Sequence, residues 1–243
     1  MKRGNNDMDI ETFEVLRDES LNAELLEEIS QLSIESFGFF TKHSPRAYEY
    51  VWLADLVKKE NPATSVLDIG AGVAPLPIYL SNQGIEVTTV DYSSFLRNYN
   101  DSDKTDWNEW GYLDYSEVDS GIQSYNQSIN EIEFTSESFD YIYSISVIEH
   151  MPATERQKMW PSLFKWMKPN GQLLLTIDLY RGNNDLWNYN YGKVVESVDE
   201  HGTLESILQE LSTYFLLSEV KVIRNMKYVD HIDIATISLT VKK

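Results

Sequence analysis

Cysteine is absent from the 243-residue chain. That excludes a disulfide framework and a thiolate nucleophile together, and it suits a reducing compartment. Basic residues are scarce. Lys and Arg number 20 against 39 Asp and Glu, for a formal net charge of −19. The phosphates of DNA or RNA would repel such a chain unless its cations were gathered in one patch. Only short clusters such as Lys58-Lys59 and Lys242-Lys243 occur, so no nucleic-acid partner is expected. Long apolar runs are also missing. None approaches the ~18–20 residues of a membrane-crossing helix. The opening MKRGNNDMDIETFEV lacks the apolar stretch of a secretion signal. The expectation is a cytoplasmic protein with no membrane partner. The acid excess is read first as an aid to solubility, with selection of a cationic ligand as the alternative.

What is present is enough for a sizeable core, since 42% of the residues are hydrophobic. Residues from about 9 to 60 read as helical. Leu21, Leu25, Ile29 and Leu32 recur at helical spacing. Ser44-Pro45 opens a second helix with an inward stripe of Tyr48, Val51, Trp52 and Leu56, and Asn61-Pro62 closes it. The pattern then changes to short β-rich runs, SVLDIG, IEVTTVD and FDYIYSISVIEH, with helical PLPIYLSNQG between the first two and Gly84 at a helix end. TERQKMWPSLFKWM reads as a helix with a capping box from Thr154 and Gln157, kinked or restarted at Pro161. KPNG reads as a turn before the apolar strand QLLLTIDL. The tail offers the helix TLESILQELSTYF and the strands EVKVIRN and DIATISLTV, closely spaced as in an antiparallel hairpin. Strands alternating with helices imply an α/β fold with a mostly parallel sheet. Two polar stretches interrupt the alternation, about 98–120 and 180–201, and read as lids or binding loops. The division expected is an N-terminal helical extension or lid over 1–60 and an α/β domain over 61–243 that carries both insertions.

The stretch Ser65–Leu80, SVLDIGAGVAPLPIYL, ends a strand in Asp68 and turns through Gly70 and Gly72 into a helix. Glycines there let a ligand approach the backbone, and the helix start exposes N–H groups. A dinucleotide fingerprint would place a third glycine where Pro75 stands. Asp68 would repel a pyrophosphate and suits a cationic amino group, so the turn reads as a site for a zwitterion.

This stretch resembles the first motif of class I S-adenosylmethionine-dependent methyltransferases. VTTVDYS resembles the second motif, FDYIYSISVIEHM the fourth-strand motif and WMKPNGQLLLTID the fifth, in the family's order over roughly 63–180. The resemblance implies a Rossmann-like seven-stranded sheet with helices on both faces, S-adenosyl-L-methionine as cofactor and S-adenosyl-L-homocysteine as product. It places Asp68, Gly70 and Gly72 along the methionine part, Asp91 at both ribose hydroxyls and Tyr92 against the adenine. Asp91 lies 19 positions after Gly72, one strand–helix–strand unit on, and a carboxylate accepts at two sites. Ser128 stands where the family usually has an acid at the adenine amino group. Ile129 would flank the ring, and Ser144 and Ser146 would close the fourth strand near the methionine. SPRAYEYVWL resembles a pre-motif helix of bacterial methyltransferases encoded with surface-glycan genes, whose Arg…Glu-Tyr group lies close to the cofactor. It makes Arg46 the candidate partner of the methionine carboxylate.

Methyl transfer to a hydroxyl benefits from a base, whereas a neutral amine needs none. His150 and Glu149, past the fourth strand, are the base candidates, and Asp178 at the end of the fifth could assist or join a metal site. The alternatives are a helix-capping His150 and a structural Glu149. Four scattered histidines give no ligand spacing, so no metal is expected. Trp187, Tyr189 and Tyr191 could wall an acceptor or pack as a lid, and Trp107, Trp110 and Tyr112 pose the same choice. The leading reading is a methyltransferase acting on a small-molecule acceptor, by O-methylation of a sugar or natural-product hydroxyl. The alternatives are an N-methyltransferase on a small amine, a non-catalytic cofactor-binding scaffold, and a nicotinamide-dependent oxidoreductase, against which Pro75 argues.

Overall fold

The computed structural model describes residues 11–13, 22–41, 43, 45–57, 64–189, 193–224 and 231–241. In chain order the elements are β1 (Glu11–Phe13), α1 (Ala23–Phe37), α2 (Arg46–Leu56), β2 (Ser65–Ile69), α3 (Leu76–Asn82), β3 (Glu86–Asp91), β4 (Leu96–Arg97), β5 (Tyr112–Leu113), β6 (Gln123–Asn126), β7 (Phe139–Ile145), α4 (Ala153–Trp166), β8 (Met167–Tyr180), α5 (Val198–His201), α6 (Leu204–Leu211), β9 (Phe215–Ile223) and β10 (Ile232–Val241).

The main sheet runs β1-β9-β10-β8-β7-β2-β3-β6. From β6 to β8 every pairing is parallel, and β10 is antiparallel to both β8 and β9. This is the expected seven-stranded sheet with its terminal antiparallel pair. An eighth strand, β1, lies parallel on β9 where the sequence reads as helical; a three-residue edge strand leaves too short a period to detect. β4 and β5 form a separate two-stranded ribbon inside the first insertion.

Both faces of the sheet are covered. Along β7 and β8, Tyr141, Tyr143 and Leu174 join one buried cluster with α1, α2 and α3, while Ile142, Leu173 and Leu175 join another with α4 and α6. This is the period-two alternation of a sheet buried on both sides. The N-terminal helices thus share one core with the sheet. The buried face of α2 is Glu49, Tyr50, Val51 and Leu53. Of the stripe read from the sequence, only Val51 is buried, because α2 faces both α1 and the sheet. Leu21, Ser44, Lys58, Lys59, Asn61, Pro62 and Tyr191 lie outside the described residues.

Three local expectations change. α4 starts after Pro152 with no side-chain cap, so Thr154 and Gln157 form no capping box, and the helix runs unbroken through Pro161. Met159, Trp160, Leu163 and Trp166 are fully buried on both sides of that proline, and their packing outweighs one missing backbone hydrogen bond. The KPNG turn is absorbed into β8, where Asn170 takes φ +68° and the pairing with β7 shifts register. Asparagine tolerates that left-handed geometry.

The strand order also fixes where a ligand can sit. The chain leaves β2 toward β3 and β6, then crosses back to β7 on the other side of β2. Open α/β sheets hold ligands outside the strand C-termini at such a reversal.

Candidate active site

A cavity of about 580 Å³ opens at that place. One part of its wall comes from the strand ends. Gly70 has φ +74° and Gly72 φ +54°. A Cβ on Gly70 would lie 2.5 Å from the Val147 side chain, and one on Gly72 would lie 2.3 Å from the Glu109 carbonyl oxygen. Only glycine fits either place. The Gly72 N–H donates to Asp91 Oδ2 at 2.6 Å, and the Gly70 N–H to the Val90 carbonyl at 2.8 Å. Tyr115 of the first insertion fixes the loop from behind. Its hydroxyl accepts from the Ala74 N–H at 2.7 Å and lies 3.0 and 3.2 Å from the Ala74 and Gly72 carbonyls.

Two carboxyls face this wall. Asp68 is buried, and burial pushes its carboxyl well above the usual range, with the charge of Asp91 adding to the effect. Asp91 is raised by burial too, offset in part by the N–H groups of Gly72 and Tyr92. A bound cation would restore charge to either. Tyr92 lines the cavity with 76% of its surface exposed.

The opposite wall is assembled from distant segments. Arg46 Nη1 donates to Glu49 Oε2 at 2.6 Å and lies 4.0 Å from Asp178 Oδ2. Burial works against the Arg46 charge, but Glu49 and Asp178 outweigh it and hold the guanidinium protonated. Glu49 Oε1 accepts from the hydroxyls of Ser146 and Thr176, both at 2.6 Å. Ser146 Oγ also lies 3.1 Å from Asp178 Oδ1, and the residue has φ +45°. Asp178 meets His43 Nε2 at 2.9 Å. Burial raises Asp178, yet His43 and Arg46 more than reverse this, leaving it below the usual range.

Farther along, His150 Nδ1 meets Glu196 Oε1 at 2.9 Å, and Asn188 Nδ2 donates to Glu196 Oε2 at 2.6 Å. Arg156, wholly buried, donates to the His201 carbonyl at 2.7 Å and to Glu210, tying α4 to α5 and α6. His201 also lines the cavity, with Nδ1 3.8 Å from Glu196 Oε2. The second insertion folds onto the end of β8 through the bridge Leu179–Leu186 and closes on itself through Trp187–Val195. Trp187 and Tyr189 therefore reach the cavity, with ring centroids 5.7 Å apart. Tyr189 also meets Trp110 of the first insertion edge-on at 4.2 Å.

The structure gathers Arg46, Asp68, Gly70, Gly72, Asp91, Tyr92, Ser146, His150, Trp187 and Tyr189 around one cavity. Other candidates lie off its lining. Ser144 is buried and donates to the Ile69 carbonyl at 2.8 Å. Ile129 packs in the core, and the Ser128 hydroxyl accepts from the Asn130 N–H at 3.3 Å. Glu149 is wholly buried, with Oε1 accepting from the Asp178 N–H at 2.9 Å. Burial and the Asp178 charge push the Glu149 carboxyl well above the usual range. Asp178 itself is 1% exposed and sits behind the cavity lining, against His43, Ser146 and Arg46. Trp107 packs on Phe37 in the core. Tyr112 lies in the β4–β5 ribbon, while Trp110 reaches the cavity.

Sequence reading missed His43, Glu109, Tyr115, Asn188 and Glu196. None sits in a local pattern. Glu49 was visible only within the Arg…Glu-Tyr resemblance.

A family model described as a methyltransferase domain matches residues 40–212. The chain is 28% identical over 148 residues to the phosphoethanolamine N-methyltransferase of Plasmodium falciparum, across 59% of this chain and 49% of that protein. A Caenorhabditis elegans phosphoethanolamine N-methyltransferase 2 is 28% identical over 123 residues, across 48% of this chain and 24% of its own length. The chain thus spans half or less of the curated relatives it matches. Among solved structures, Haemonchus contortus phosphoethanolamine N-methyltransferase 2, in complex with phosphomonomethylethanolamine and S-adenosylhomocysteine, superposes with a TM-score of 0.56 at 17% identity, over 81% of this chain and 53% of that one. The N-methyltransferase NodS of Bradyrhizobium japonicum, in complex with S-adenosylhomocysteine, gives 0.55 at 12% identity, over 91% and 96%. These structural likenesses show the fold.

Proposed function

This chain belongs to the class I S-adenosylmethionine-dependent methyltransferase family, and we propose that it methylates a hydroxyl of a small-molecule acceptor, a sugar or natural product. The residues present fit the cofactor. Gly72 leaves a cradle that any Cβ would fill. Asp68 suits the amino group, Asp91 the ribose hydroxyls, and the unengaged edge of Arg46 the carboxylate. S-adenosylmethionine, when bound, supplies a methyl group activated on a sulfonium.

The observation that carries the hydroxyl reading is the His150–Glu196 pair. A carboxylate only accepts hydrogen bonds, so the Nδ1 that meets it bears the proton and Nε2 of the neutral ring is free to take one. His150 lines the cavity beside Trp187. It is then the base that receives the hydroxyl proton, and Glu196 steadies the resulting imidazolium. The chain's remaining work is positioning and exclusion of water.

A second reading, N-methylation of a small amine, is favoured by the relatives' names and by the lining itself. Asp68, Asp91, Glu109 and Glu196 are acidic there, against Arg46 as the one guanidinium or lysine among the described residues. That guanidinium is engaged by Glu49 on one side, and its remaining edge is the one assigned to the cofactor carboxylate, which disfavours a phosphorylated acceptor.

Calorimetric titration with S-adenosylmethionine and S-adenosylhomocysteine, with NAD and NADP as controls, tests the cofactor. Binding of the first pair alone is expected, and Asp91→Ala should weaken it roughly 10–100-fold, the worth of hydrogen bonds to a charged group. Release of S-adenosylhomocysteine with matched hydroxyl and amine acceptors then separates the two readings. Tight binding without turnover of any acceptor would indicate a scaffold.

A further inference from the structure

Trp187 is flanked by two histidines. The His43 ring stacks on it, with centroids 5.5 Å apart and planes at 29°, and the His150 ring meets it edge-on at 6.3 Å. All three residues line the cavity. Each histidine has one nitrogen against a buried carboxylate: His43 Nε2 on Asp178 Oδ2 and His150 Nδ1 on Glu196 Oε1, both at 2.9 Å. The nitrogen facing a carboxylate must carry the proton, so a neutral ring leaves the opposite nitrogen bare. These bare atoms are Nδ1 of His43 and Nε2 of His150, and neither takes a partner among the described residues.

The two rings are held in place. The His43 N–H donates toward Thr41 Oγ1 at 3.1 Å and Glu109 Oε1 at 3.0 Å. The His43 carbonyl accepts from the Thr41 hydroxyl at 2.6 Å and from the Arg46 N–H at 3.1 Å. The Trp187 backbone N–H donates to the Asp178 carbonyl at 2.9 Å, which ties the Trp187 backbone to the strand whose Asp178 holds His43. On the other side, Asn188 and the Glu196 N–H, which donates to the Leu186 carbonyl at 2.8 Å, fix Glu196.

We propose that His43 and His150 form an acceptor subsite over Trp187 that reads hydrogen-bond donors and takes a ring bearing two hydroxyl groups. The inference rests on the methyltransferase reading above and adds His43 as an acceptor-binding residue. The indole and the His43 ring stacked on it offer a flat wall for a sugar face or an aromatic ring. The two bare nitrogens accept one hydroxyl each. His150 takes the proton of the hydroxyl that is methylated, and His43 holds the second. A phosphate or carboxylate would set lone pairs against lone pairs, with Asp178 and Glu196 close behind each ring.

Long-range nitrogen–proton NMR of histidine-labelled protein, free of cofactor, tests the arrangement directly. His43→Phe and His150→Phe assign the signals. The expected result is a neutral Nε2–H tautomer at His43 and a neutral Nδ1–H tautomer at His150. An imidazolium or the opposite tautomer at either ring near neutral pH overturns the proposal. Catechol, phenol and phenyl phosphate are then titrated into the protein loaded with S-adenosylhomocysteine. Catechol should move both histidine signals and bind about five- to tenfold more tightly than phenol, the worth of one further hydrogen bond. Phenyl phosphate should move neither. His43→Phe should abolish the preference for catechol over phenol; if that variant does not fold, the wild-type measurements still decide. Absence of any catechol-dependent shift, or equal binding of phenyl phosphate, overturns the proposal. Calorimetry with S-adenosylhomocysteine reports separately on the cofactor reading. Its failure would leave the tautomers measured on the free protein to decide the subsite.

Discussion

The two walls of the cavity are made by different means. The wall of Gly70, Gly72 and Asp91 comes from the ends of two adjacent parallel strands, and its shape is a matter of backbone: positive φ, absent Cβ atoms and an N–H seated on Asp91. The wall of His43, His150 and Trp187 comes from three separated stretches, and its shape is a matter of side-chain pairing. Asp178 and Glu196 are the hubs, each nearly buried and each holding a histidine. A backbone-built wall tolerates few substitutions but serves any chain that keeps the turn. A pair-built wall can be re-specified one residue at a time. That division suits a common cofactor facing a variable acceptor.

Substitutions can break this contrast from either side. The largest expected effect is on the paired wall. His150→Ala should lower turnover about 10²–10⁴-fold, the usual worth of a general base, with little change in calorimetric affinity for S-adenosylhomocysteine. An equal loss in both would mean that the walls do not act separately. Next is the backbone wall. Gly72→Ala forces a Cβ onto the Glu109 carbonyl at a left-handed φ. A cost of about 1–3 kcal/mol is expected from the strain, seen as a lower melting temperature together with at least roughly tenfold weaker cofactor binding. Wild-type affinity in that variant would show that the cradle is not the binding surface.

The smallest effect sharpens the comparison by way of pH. Glu149 sits behind the paired wall with Oε2 unpartnered, and its carboxyl is raised chiefly by burial and then by the Asp178 charge. A group raised on folding contributes stability that is full below its unfolded value and is lost as pH rises through its folded value. Glu149→Gln cannot ionise. Its melting temperature relative to wild type should climb between about pH 5 and pH 8, reaching about 2–4 °C for a gain of roughly 1 kcal/mol. A difference that stays flat with pH would mean that Glu149 carries its charge in the folded protein.

This contrast also explains what could be read in advance. Strand-ending acids and spaced glycines are local signals, so Asp68, Gly70, Gly72 and Asp91 could be picked out along with a mostly parallel sheet and its terminal antiparallel pair. His43 and Glu196 carry no such signal, because their partners lie 135 and 46 positions away in sequence. Glu149 and His150 are neighbours at the end of a strand and looked alike as bases. The single turn of 3₁₀ helix over Ile148–His150 separates them, one into the core and one toward the cavity. Pro161 misled for a related reason: a local rule about proline meets a helix whose buried Trp160 and Trp166 fix it from outside.

Tyr115 gives the insertion around 98–120 a standing beyond specificity. Its hydroxyl touches three backbone atoms of the glycine turn, and Glu109 of the same insertion receives the Val73 N–H at 2.9 Å. The insertion is therefore not an exchangeable cassette. A chimera that borrows this segment from another chain must bring a phenol and a carbonyl to the same two places, or it will deform the turn it was meant to leave alone. Lineages of such chains are expected to diversify more freely in the 180–201 stretch, which is bridged to β8 and to Thr203 and whose described residues have no such hold on the turn.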